Sequence, residues 1–164
     1  MPTTSTAFAV TSAPAASIAA PDLSKRAPRS PRLRLGGFAT LPRIIDKGRA
    51  KLAGTAGDYV YDNPLDKRFF SFVKISSDAF LAKLADGSGD GAVLAWVLEN
   101  AGHKPAEWEI TAWSATQENR AHASVRAREY GLKQLSTLAP DRTDVVTSFD
   151  LLDLDDHIAF GGKA

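Results

Sequence analysis

Apolar residues in this chain recur mainly at intervals of three and four, the spacing of a helix stripe rather than of a strand face. Leu41, Ile44, Ile45 and Leu52 make the first stripe; Leu65, Phe69, Phe72 and Val73 make the second, with Phe70 close by. Phe80, Leu81 and Leu84 follow, then Val93, Leu94, Val97 and Leu98. A fifth segment carries Trp108, Ala112 and Ala115 on one stripe, with Ile110, Trp113 and Gln117 beside them. Val125, Leu132, Leu135 and Leu138 mark a sixth, and Val145, Val146 and Phe149 a short last one.

Start and stop signals bracket most of these stripes. Thr40 stands two residues before Pro42, and Asn63 directly before Pro64, as caps with proline at the first helical positions. Ser76 or Ser77, Ser88 or Asp90, Ser124, and Thr143 or Asp141 are the expected caps further on. Gly54, Gly102 and Pro140 supply stops, and His103-Lys104-Pro105 opens the fifth helix. Alternation in Arg32-Leu33-Arg34-Leu35 predicts a short extended segment, with Tyr59-Val60-Tyr61 as its expected partner. The fold class expected is therefore mainly α: one compact domain of about six or seven short helices with at most a small two-stranded β ribbon.

Composition divides the chain unevenly. Residues 1–21 carry no charged side chain and are rich in Ala, Ser, Thr and Pro. Too little apolar surface is available there to offset chain entropy, so a disordered tail is expected, with the folded domain spanning 22–164. The tail also lacks the basic and continuously apolar regions of a secretory signal. No apolar run approaches the roughly 20 residues of a membrane span, so no membrane partner is expected. The absence of cysteine excludes disulfides, thiolate nucleophiles and Cys-based metal sites, and suits a cytoplasmic setting.

Net charge is only +1, but residues 1–60 hold a balance of +6 and residues 140–164 a balance of −4. The basic half centres on Arg26–Leu52, where Arg29, Arg32, Arg34, Arg43 and Arg49 flank the Gly36-Gly37 pair. Arginine forks, flexible glycines and a helix start are the ingredients of an anion site, which makes these seven residues the anion-binding candidates for a phosphate or carboxylate. Arg43, Lys47 and Lys51, four residues apart, are expected to form a solvated basic face. In the acidic half, Asp153, Asp155, Asp156 and His157 can share a helix or strand face and are the candidate metal ligands or acid/base groups.

Other chemistries lack their motifs. The loop Asp86–Gly91 alternates Asp, Ser and Asp, but the twelfth position of a calcium loop would be Val97, and a phosphate loop would need a lysine the segment lacks. No GxSxG or GxGxxG is present. No helix concentrates basic and polar residues into a DNA-reading face, so nucleic acid is disfavoured as a partner.

Four separated blocks in order, DLSKRAPRSPRLRLGGFATLPRIIDKGRAKLAG, YDNPLDKRFFSFV, EWEITAWSA and FDLLDLDDHIAF, resemble the bacterial domain-of-unknown-function family numbered 5069. The resemblance covers about Asp22 to the C-terminus. It implies a small, soluble, mostly helical single-domain protein, and it carries over neither a catalytic role nor a cofactor.

Two functional readings remain, with a structural third beside them. In the first the chain is a binding module whose arginine segment recognises an anionic molecule. In the second it is a metal-dependent or acid/base enzyme using the C-terminal Asp/His group. In the third, the basic and acidic segments neutralise each other as an internal clamp.

Overall fold

The structure, a computed structural model, describes residues 19–121 and 124–164. Of the tail expected over 1–21, residues 1–18 lie outside that range; Pro21 is buried, and its carbonyl accepts a hydrogen bond from Thr55 Oγ1 (3.0 Å).

Among the described residues the chain forms a two-residue-per-strand ribbon and seven helices. Strands β1 (Arg34–Leu35) and β2 (Phe38–Ala39) pair antiparallel, Leu35 opposite Phe38. Gly36 and Gly37 both take positive φ (57° and 84°), the conformation a two-residue hairpin turn demands at both central positions. The glycine pair thus folds Arg34-Leu35 back on its immediate neighbour. Tyr59–Tyr61, the expected partner, instead lies in an irregular loop, with Tyr61 buried. Local closure through six residues wins over pairing across more than twenty.

Helix α1 spans Leu41–Ala53 and ends at Gly54 in the left-handed region. Its start departs from expectation: Thr40 has φ 66° and makes no capping bond, while its N–H donates to Pro31 O (2.9 Å). Helix α2 (Pro64–Val73) begins as expected, with Asn63 Oδ1 accepting from the N–H groups of Leu65 and Asp66 at 3.0 Å each. Ser76 caps α3 (Ser77–Leu84), and Ser124 caps α6 (Val125–Leu138). Helix α4 (Asp90–Asn100) starts after Gly89 with no side-chain cap, since the Asp90 carboxylate is held by arginines. Helix α5 (Glu107–Glu118) begins two residues beyond Pro105, with Glu109 Oε2 accepting from the Ala106 N–H (2.7 Å). Helix α7 (Ser148–Ala159) starts later than its expected caps: Thr147 and Asp150 bond reciprocally, Asp150 N–H to Thr147 Oγ1 and Thr147 N–H to Asp150 Oδ2.

The main apolar cluster joins Phe38, Leu41, Ile44 and Ile45 to Phe69, Phe70 and Val73 of α2, Phe80 and Leu84 of α3, and Val93 and Val97 of α4. Phe69 sits at its centre, edge-on to Phe38, Phe70 and Phe80 with ring centroids 5.5–6.2 Å apart. Helix α5 turns Ile110, Ser114 and Gln117 inward and leaves Trp108 exposed; Ser114 Oγ accepts from Ala39 N–H and donates to Gly37 O, fastening the ribbon to α5. Several expected core positions face solvent, among them Leu52, Leu98, Val125, Leu132 and Val146. Helix α6 buries only Gly131.

Removing Phe69's ring empties the middle of this cluster. Phe69→Ala is expected to cost about 3–5 kcal/mol, whereas Leu98→Ala, on an exposed position, should fall within roughly 0.5 kcal/mol of the parent. Urea unfolding monitored by circular dichroism measures both.

Candidate functional site

The arginines of the N-terminal segment do not converge on one space. Each is paired with a carboxylate elsewhere in the fold. Arg29 clamps Asp46 on α1 with both Nε and Nη2 (2.9 and 2.8 Å) and reaches Asp90 at the start of α4 through Nη1 (2.5 Å). Arg49 shares that Asp90 (2.7 Å) and donates to Ser88 O. Arg32 pairs with Asp150 and lies 3.4 Å from Asp153, its guanidinium over the Phe149 ring. Arg34 forks onto Glu118 at 2.9 Å through two nitrogens. Gly36 and Gly37 form the hairpin turn, packed towards Leu94 and Ile110.

Of the α1 face expected to be solvated, Lys51 is exposed but Arg43 and Lys47 are buried. Arg43 is 4% exposed and grips Asp156 of α7 through Nη1 and Nη2 (2.6 and 3.2 Å). Tyr59 donates its hydroxyl to the same carboxylate (2.8 Å), and its ring lies 5.5 Å from the Arg43 guanidinium carbon. Burial and the Asp156 charge raise the Tyr59 phenol well above its ordinary value, so it stays a donor. Lys47, 1% exposed, donates to both oxygens of Asp66 (2.7 and 2.8 Å) and to Val60 O. Burial pushes the Lys47 ammonium down and the Asp66 carboxyl up, and each charge partly restores the other. Amphipathic periodicity misplaced this face because it treats a cation as solvent-seeking, whereas a cation with a dedicated partner can enter the core.

The C-terminal candidates divide between two hollows: Asp153 and His157 line one with Asp150, and Asp155 and Asp156 line another. Asp153 faces Arg32, Asp156 faces Arg43 and Tyr59, and His157 Nε2 lies 3.1 Å from Lys163 O. Asp155 has no hydrogen-bond or ion-pair partner among the described residues. It is exposed; partial desolvation and the adjacent Asp156 raise its carboxyl above the ordinary aspartate value, with Arg43 acting the other way. Among the described residues no three His, Asp or Glu side chains form a group able to hold a metal ion.

Between the helical body and the C-terminal helices lies a cleft of about 920 Å³. The helical body contributes Arg43, Lys47, Tyr59, Val60, Leu65 and Arg68; α6 and α7 contribute Tyr130, Gln134, Leu151, Leu152, Asp155 and Asp156, with Phe160 just beyond α7. Of the seven expected anion-binding residues, only Arg43 reaches it. Arg68 escaped the sequence reading. It is half-buried on α2, makes no hydrogen bond or ion pair among the described residues, and is pushed below the ordinary arginine value by burial and by the charge of Arg120. Its signal was positional: three residues after Leu65 and four before Phe72, it shares a face with two half-buried apolar side chains.

Fold and site define a small helical domain threaded with internal ion pairs and open along one cleft. Residues 25–158 match the family model described as Domain of unknown function (DUF5069), and the chain belongs to that family. No curated protein matches it. Among the described residues no helix is long and apolar enough to cross a membrane.

Two tests follow from the ion pairs. Lys47→Met strands the Asp66 charge and should cost about 3–5 kcal/mol, while Lys47→Met combined with Asp66→Leu recovers part of that loss; denaturant unfolding of both decides. Asp90 gives a pH dependence. Burial works against its charge, but Arg29 and Arg49 outweigh burial and hold the carboxyl below the usual range. A lowered folded pKa contributes stability above the ordinary aspartate value of about 3.9 that is lost as pH falls through the folded one. Unfolding midpoints measured from pH 5 downward should therefore fall less steeply in Asp90→Asn than in the parent.

Proposed function

We propose that this domain is a binding module whose cleft takes an anionic small molecule, with Arg68 as the cation that meets it. One observation carries the reading: a half-buried arginine lines the cleft without a carboxylate, in a domain that gives an internal partner to each arginine from Arg29 to Arg49. Desolvating a guanidinium is unfavourable unless something compensates, and a bound carboxylate or phosphate does so with paired, charge-assisted hydrogen bonds. The cleft volume suits a small-molecule ligand. The Tyr130 ring and the Gln134 amide line the same space and add a stacking surface and further hydrogen-bonding groups.

Anion recognition at Arg29, Arg32, Arg34 or Arg49 would require an incoming group to displace a carboxylate already in place, so the reading moves from the arginine segment to the cleft. The enzyme alternative narrows to Asp155, because Asp153, Asp156 and His157 each have another interaction. A single free carboxylate with no paired base or nucleophile supports binding better than acid/base catalysis.

Thermal-shift and calorimetric titration with phosphorylated and carboxylated metabolites tests the proposal. Arg68→Gln should lower affinity by about 10- to 150-fold, the equivalent of the roughly 1.5–3 kcal/mol a charged hydrogen-bonding group contributes. Arg34→Gln, remote from the cleft, should leave affinity unchanged. Absence of any Arg68-dependent ligand rejects the reading.

A further inference from the structure

The geometry points to a zwitterionic ligand with an apolar body, an amino acid or short peptide, whose carboxylate meets Arg68 and whose ammonium meets Asp155. This rests on the cleft being a binding site, as proposed above, and adds what kind of molecule enters it.

The argument begins with the charges that line the cleft. Arg43 and Asp156 neutralise each other, and Lys47 is bound to Asp66. What remains is one free cation, Arg68, against two carboxylates without a partner among the described residues, Asp155 and Asp58. Both are exposed. Asp155 lines the cleft from α7, the layer that does not carry Arg68, and stands next in sequence to the buried Asp156. Partial desolvation and the Asp156 charge disfavour its negative form, which Arg43 offsets in part. A simple anion drawn in by Arg68 would enter a cleft that also holds unpaired carboxylates. A ligand that also carries a cation satisfies both signs of charge, and at the half-buried Arg68 it does so where water is partly excluded.

The walls between specify the rest of the molecule. Val60, Leu65, Tyr130, Leu151, Leu152 and Phe160 line the cleft, so most of what a ligand touches is hydrocarbon or aromatic. A sugar phosphate would leave its hydroxyls against these side chains without partners, at a cost for each. An apolar side chain on an amino acid or short peptide buries against them. The two charges sit on different parts of the fold, Arg68 on α2 and Asp155 on α7, so a zwitterion would also bridge the body to the C-terminal helices.

Calorimetry on the full chain with one matched set of probes decides the matter: 3-phenylpropanoate carries only the carboxylate, phenethylamine only the amine, and phenylalanine both. Dileucine and 6-aminohexanoate separate the two charges further, and inorganic phosphate serves as the polar anion. At least one zwitterion should bind ten-fold or more tightly than 3-phenylpropanoate. Asp155→Asn should erase that advantage while leaving 3-phenylpropanoate binding as it was, and Arg68→Gln should weaken both. If 3-phenylpropanoate or phosphate binds through Arg68 as tightly as every zwitterion, or Asp155→Asn changes nothing, the zwitterion inference is overturned and the anion reading stands. If no probe binds in an Arg68-dependent way, both are overturned. Circular dichroism of each variant confirms that the fold is retained.

Discussion

Helix α1 runs through the domain with Arg43, Asp46 and Lys47 all buried on it, and this constraint organises everything around it. A buried ion without a partner costs several kcal/mol, so α1 can occupy the interior only if its partners arrive with it. Those partners come from three places. Arg29 reaches in from the extended N-terminal segment, Asp66 from the first turn of α2, and Asp156 from α7, more than a hundred residues away. The apolar stripe of Leu41, Ile44 and Ile45 drives burial of the helix, but the ion pairs determine which segments may close over it. Hydrophobic contact tolerates many arrangements of similar shape; a bidentate arginine–aspartate pair tolerates very few.

The cleft follows from the same arrangement. Among the described residues, α6 and α7 contribute nothing to the main apolar cluster, which is built from the ribbon and α1 to α5 together with neighbouring loop residues. Arg43–Asp156, Arg32–Asp150 and the burial of Phe149 and Leu154 hold α7 against the body. Two layers joined at discrete charged points, rather than across a continuous apolar seam, leave room between them. Arg68 and Asp155 line that room from either layer. Desolvation pushes each of them towards its neutral form.

Much of the helical organisation was readable in the sequence because its causes are local. Asn63-Pro64, Ser76 and Ser124 act as caps through bonds spanning two or three residues, and Gly54 ends α1 in the conformation glycine favours. Where a start signal failed, a longer-range contact had claimed the residue. Asp90 is held by Arg29 and Arg49, and Thr40 is tied through its N–H to Pro31 O. The ribbon's partner was misread because Gly36-Gly37 closes a tight turn on the adjacent residues.

The charge pattern by itself showed a basic first third and an acidic C-terminus, able to neutralise each other or to meet an outside partner. Only the tertiary structure decided between these: Arg32 and Arg43 meet α7, Arg34 meets α5, and Arg29 and Arg49 meet the start of α4. It also moved attention from the arginine-rich segment to Arg68, one cation in an unremarkable helix. Composition counts charges but is blind to which of them are already paired, and pairing is a property of distances that only the folded chain possesses.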